Sequence, residues 1–273
     1  MDKAVDSTEK KEKEKESIAT ILPASTQEFF LKISGLTLFG WRYLKHIFKP
    51  PYEIAETFRQ FYEIGFKSFS LVAITGFIIG LTLTMQSIPT LQKFGASSLV
   101  PSMVALAVIL EIGPVITALI FAGKIGSGIG AELGSMKVTE QIDAMEVSGC
   151  NPFKFLVVTR VTAATLMLPL LVVLADALAL LGGFVAINIS DSSTLQLFLR
   201  NSFNNITMAD VIPAMAKTFI FGFSIGVVGC YEGYNANRGT ASVGVAANTA
   251  VVISSLLVIL IDMLMVQLTS LIF

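Results

Sequence analysis

The stretch EIGPVITALIFAGKIGSGIGAELGSMKVTEQIDAMEVSG, residues 111–149, decides how the chain folds. It begins with a carboxylate, Glu111, inside an apolar run and meets Gly113-Pro114 two residues on. Gly123, Gly126, Gly128, Gly130 and Gly134 follow, and a short acidic segment is then stopped by Gly149 and Asn151-Pro152. In lipid, a charge such as Glu111 is costly unless it is paired, neutral or facing water. Pro114 frees the carbonyl of Leu110 and weakens the helix at that level, which is tolerated where a cavity or a neighbouring helix satisfies the backbone. The stretch therefore reads as a polar site in a membrane joined to a lever outside it.

The whole composition supports a membrane reading. The chain is 53% hydrophobic and 14% charged over 273 residues, more apolar surface than one soluble core can hide. A net charge of -1 argues against nucleic acid as the main partner. Cys150, Cys230 and His46 have neither the number nor the spacing of a metal site or a disulfide framework, so no metal and no cofactor are expected. Apolar runs at about 69–86, 99–122, 155–186, 211–233 and 243–273 each suffice for a hydrocarbon core of about 30 Å at about 1.5 Å per residue. Residues 1–20, which include KKEKEKE, read as a solvated, disordered tail with no apolar segment of a signal peptide. Between 21 and 67, aromatic and aliphatic residues interleave with Lys32, Arg42, Lys45 and Arg59, the pattern of amphipathic helices lying in the headgroup region. The fold class is thus an all-α integral membrane protein with an interfacial helix and five transmembrane helices.

Eleven Lys and Arg precede residue 68, and placing this end in the cytoplasm puts Lys124, Lys137, Lys154, Arg160 and Arg238 on the same side. Lys93 and Arg200 remain for the other side, so the amino terminus is expected in the cytoplasm and the carboxyl terminus outside. Four charges, Glu111, Asp176, Lys217 and Asp262, fall within the expected spans. Counting depth from the assumed ends puts Lys217, Asp176 and Asp262 in the outer half, which suggests a structural ion pair of Lys217 with Asp176 or Asp262. Glu111 counts nearer mid-depth with no basic residue at its level; it reads as part of a polar patch in a substrate cavity or as a protonated group bonded within the bundle, and Gln86 and Thr82 are in reach of such a patch.

The glycines of residues 123–134 do not form a phosphate-binding loop, because no GxxxxGK[ST] occurs and no strand precedes them. Close packing and a tight exit turn explain them better. Residues 135–149 then read as a short cytoplasmic helix between the second and third spans, with Thr139 as its N-cap, Glu140 and Asp143 near its start, and Glu146 beyond. Ile142, Met145 and Val147 on such a helix suit a docking surface for a soluble partner better than a solvated connector.

The segment ELGSMKVTEQIDAMEVSGCNPFKFLVVTR resembles the signature of the MlaE-type permeases, the membrane subunits of lipid ABC transporters. FRQFYEIGFKSF, GLTLTMQ, LEIGPVITALIFAGKIGSGIG and EGYNANRGTASVGVAANTAVVISSLLVILID extend the resemblance from about residue 57 to the carboxyl end. The resemblance implies a homodimeric permease of the inner membrane, bound to two cytoplasmic ATP-binding subunits and a periplasmic Mce-domain protein. It further implies phospholipid transport between that membrane and the carrier, contributing to outer-membrane lipid asymmetry. On this resemblance Glu111, Gln86, Leu83 and Leu110 would line the lipid site, while Glu132, Thr139, Glu140, Asp143 and Glu146 would couple to the ATPase through the helix at about 135–149. The chain departs from the pattern at Leu110, where some relatives carry Arg, and at Thr249, near which many carry a basic residue. A secondary transporter using Glu111 as proton site, a non-transporting scaffold and an intramembrane enzyme are the rival readings, and the last lacks a nucleophile–base pair or metal ligands.

Overall fold

The computed structural model describes residues 24–50, 52–190, 194–237 and 239–272; the charged tail of residues 1–20 lies outside them. Among the described residues the chain is all-α, with eight helices and no strand. It divides into two compact units between Lys45 and His46.

Most of helix α1 (Ala24–Ile47) belongs to the first unit. Phe39 and Tyr43, one turn apart, are its buried face. Phe30, Leu31, Leu38 and Trp41 stay exposed, and the Lys45 ammonium lies 5.8 Å from the centre of the Trp41 ring. Exposed aromatics beside lysine stems are the amphipathic pattern anticipated from the sequence.

The second unit holds α2 (Ile54–Lys93), α3 (Ser97–Val138), α4 (Gln141–Val147), α5 (Phe153–Ile189), α6 (Leu195–Phe203), α7 (Met208–Tyr234) and α8 (Thr240–Ile272). Helices α2, α3, α5, α7 and α8 run 27 to 42 residues and are apolar enough to cross a membrane. α5 packs between α2 and α7, and α7 also packs on α3 and α8. Between lipid-facing helices, apolar burial gives little drive, so close contact must come from small residues. α2 and α5 meet in this way and run parallel: a Cβ on Gly76 would lie 2.7 Å from the carbonyl oxygen of Ala175, and one on Gly80 would overlap that of Ala179. The GxxxG spacing of Gly76 and Gly80 thus faces the AxxxA spacing of Ala175 and Ala179 on α5.

α3 differs most from its expected course. The helix does not leave its bundle near residue 122 through a glycine turn but continues to Val138. Gly130 serves backbone contact instead of a bend, since a Cβ there would sit 3.2 Å from the Ala246 carbonyl oxygen of α8, whereas a Cβ on Gly123 or Gly128 would meet nothing within 4 Å. α3 also contains two π-helical turns, Val108–Ile112 and Ala122–Gly126. The first directly precedes Gly113-Pro114, where the proline lacks an N–H and its ring presses on the carbonyl four residues back; a wider turn absorbs both.

The short helix α4 is correspondingly smaller than the expected 135–149. Residues 135–138 finish α3, and Thr139 closes that helix by donating from Oγ1 to the Ser135 carbonyl at 2.8 Å instead of capping the next one. Glu140, with φ of 59°, makes the left-handed break from which α4 starts. α6 lies in the connection between the third and fourth apolar runs, where the sequence showed no helix; Phe198 and Ser202 are its buried residues.

Candidate functional site

Three of the charges within the spans meet at one point. Lys217 of α7 donates from Nζ to Glu111 Oε2 at 2.7 Å and to Asp262 Oδ1 at 2.9 Å. Glu111 comes from the π turn of α3, Asp262 from α8, so one ammonium ties three helices. The turn explains the geometry: its extra residue rotates Glu111 toward α7 just before the proline. The Lys217 side chain is 4% exposed and that of Asp262 14%, whereas 44% of Glu111 is open.

That openness faces a cleft of about 340 Å³ lined by Leu110, Glu111, Asp210, Lys217, Met265 and Thr269, among others. Leu83 and Gln86 line a second cleft, of about 330 Å³, with Thr90, Met103 and Ala107. The four residues grouped as one lipid site therefore divide between two clefts that share α3 as a wall. Asp176, grouped with Lys217 from the sequence, has no salt bridge to it among the described residues. Its Oδ1 lies against Gly113 and has no hydrogen-bond partner among the described residues.

At the end of the bundle that carries α4, Arg160 of α5 is 1% exposed; Nη2 donates to Glu132 Oε1 of α3 at 2.7 Å and Nη1 to the Leu156 carbonyl oxygen at 3.0 Å. Glu132 thus holds α3 to α5 while half its side chain stays exposed. On α4 itself, Asp143 pairs with Lys137 at 2.8 Å, and Thr139, Glu140 and Glu146 are exposed. Ile142 is buried and pins α4 down, while Val147 is 90% exposed. The apolar residues offered for docking are thereby sorted: Ile142 faces the protein and Val147 faces out.

The pairing of Glu111 with Lys217 escaped sequence reasoning because depth was counted from the wrong ends. Measured from Ser97 and Val138, Glu111 lies in the half of α3 nearer Ser97, the half that shares a level with Lys217 and Asp262. The Glu132–Arg160 contact had a fainter signal, an arginine at a helix mouth that needs a carboxylate when buried.

The Permease MlaE family model matches residues 57–268. A probable ABC transporter permease protein of Rickettsia typhi is 35% identical over 252 residues, 92% of this chain and 97% of that protein. A probable ABC transporter permease protein of Synechocystis is 33% identical over 211 residues, 77% of this chain and 80% of its own length. The chloroplastic protein trigalactosyldiacylglycerol 1 of Arabidopsis thaliana is 30% identical over 198 residues, 72% of this chain and 57% of that protein.

Proposed function

The chain belongs to the MlaE permease family, a multi-pass membrane permease subunit of an ABC transporter, and on that premise we propose that it moves phospholipid between the inner membrane and a periplasmic Mce-domain carrier. In this reading it works as a homodimer with two cytoplasmic ATP-binding subunits, its amino terminus cytoplasmic and its carboxyl terminus periplasmic, and it contributes to outer-membrane lipid asymmetry. The observation that carries the reading is the cleft at Glu111: an open carboxylate with Asp210 and Lys217 on a wall that also presents Leu110, Met265 and Val266, where an amphipathic ligand finds both of its halves matched. One relative is named for a galactolipid, which agrees with a lipid cargo.

The partner surfaces follow from the same reading. α8 is the least buried of the long helices, with Val252, Leu256, Ile259, Leu260, Met263 and Leu264 exposed, and it offers the homodimer its contact face. α4, with Glu140, Asp143, Glu146 and the exposed Val147, is the docking element for the ATP-binding subunit, and Glu132 and Thr139 stand behind it. ATP-driven closure of the partners moves α4, the α3 turns yield, and the clefts holding Glu111 and Gln86 change shape.

Native mass spectrometry of the protein purified with its co-eluting subunits tests this. Two copies with two ATP-binding subunits and bound phospholipid are expected. A stable, lipid-free single chain overturns it.

A further inference from the structure

The charges around the Glu111 cleft carry the cargo class one step further. Resting on the phospholipid reading above, we infer that this cleft receives a headgroup bearing an ammonium group, as in phosphatidylethanolamine, and disfavours a headgroup of net negative charge.

Two carboxylates, Glu111 and Asp262, surround one ammonium, Lys217, so the three groups carry one net negative charge in their ordinary ionisation states. The positive member is the one least open to a ligand: Lys217, although it lines the cleft, is 4% exposed and donates to both acids. The negative member Glu111 is the one that is open. Asp210 adds a second carboxylate to the lining. A phosphate entering the cleft thus meets acid oxygens first and finds its cation hidden, while an ammonium meets partners.

The amino end of α7 would ordinarily draw an anion, because its free N–H groups and the helix dipole favour negative charge. Here a carboxylate of the helix itself already stands at that end. Asp210 Oδ2 accepts from the Thr207 N–H at 3.1 Å and from the Thr207 hydroxyl at 2.6 Å, part of a capping box between these two residues. Asp210 thus places a carboxylate, and its negative charge, at the helix end where a phosphate would otherwise be drawn. Leu110, Met265 and Val266 supply the apolar wall against which the start of the acyl region lies. Thr269 and Ser270 return their hydroxyl protons to α8 carbonyls, of Met265 and Gln267, so neither hydroxyl proton is left for a phosphate in this arrangement.

The test uses the full chain purified with its partner subunits after incorporation into nanodiscs containing equal phosphatidylethanolamine and phosphatidylglycerol. Lipids retained after transfer to detergent are counted by mass spectrometry for the wild type, Glu111→Gln and Asp210→Asn. The wild type is expected to retain phosphatidylethanolamine over phosphatidylglycerol by about fivefold, the ratio one water-screened charge contact gives. Each variant is expected to move that ratio toward one, and Asp210→Asn, at a half-exposed position, reads the effect without disturbing the Lys217 cluster. Retention of the two lipids in their bulk ratio, or enrichment of phosphatidylglycerol, overturns the ammonium preference and leaves the phospholipid reading standing. Retention of no phospholipid by the wild type overturns both.

Discussion

The carboxyl group of Asp176 on α5 lies against the backbone of Gly113 on α3, in the place where any other residue at 113 would put its Cβ. The contact stands one residue past the π turn that presents Glu111, so it sets how closely α5 approaches the turn. Replacing Gly113 with Ala forces the Cβ into Asp176 Oδ1 and to within 2.8 Å of the Val108 carbonyl oxygen. A loss of about 1–3 kcal/mol is expected, the usual cost of overpacking, read as a lowered unfolding midpoint in detergent. Adding Asp176→Ala to Gly113→Ala is expected to recover part of it; no recovery would place the strain at Val108 instead.

Lys217 cannot be removed alone without cost. Lys217→Met leaves Glu111 and Asp262 facing one another with no cation between them, and a loss of about 3 kcal/mol is expected, since breaking a buried pair exposes its full desolvation cost. The triple variant Lys217→Met, Glu111→Gln, Asp262→Asn is expected to return most of the stability. Thermal unfolding followed by size-exclusion chromatography checks both, and equal losses in the single and triple variants would mean that the ammonium acts by packing alone.

Arg160 and Glu132 make a parallel case at the other end of the bundle. Glu132→Gln strips a buried guanidinium of its charge partner, and a destabilisation of about 2–4 kcal/mol is expected, reduced in the double variant with Arg160→Met. Protease susceptibility of the connection between α3 and α5 reads the same loosening locally.

Asp143 tests the docking role of α4. Its pair with Lys137 is exposed on both sides and contributes under about 1 kcal/mol, so Asp143→Lys is expected to leave the bundle folded. The same reversal of charge is expected to abolish co-purification of the ATP-binding subunit. Normal co-purification by a folded Asp143→Lys protein would assign docking to another surface.

The long helices were legible because their apolar runs outlast any soluble helix. The extent of α3 was not: a cluster of glycines has the same composition whether it turns a chain or lets helices touch, and only Ala246 and Gly233 on neighbouring helices decide between them. α6 was missed because nine residues in a polar connection give too little periodicity. The site was partly legible. Glu111, Lys217 and Asp262 stand out one by one as charges in apolar runs, but their meeting depends on helix ends and on a π turn, and neither is written in local composition. Asp176, chemically indistinguishable from Asp262 in the sequence, faces α3 instead of α7 and so has a different environment.

The seam between α2 and α5 has a mechanical consequence. Where backbone meets backbone through Gly76, Gly80, Ala175 and Ala179, there are no long side chains to change rotamer and take up a sliding movement. The two helices therefore behave as one plank. Any change in the shape of this protein must be hinged elsewhere: at the wide turns of α3, and along α8, which has few buried residues to hold it. Substitutions that stiffen those two places will slow the molecule's working cycle without loosening its fold, whereas substitutions in the plank will do the reverse.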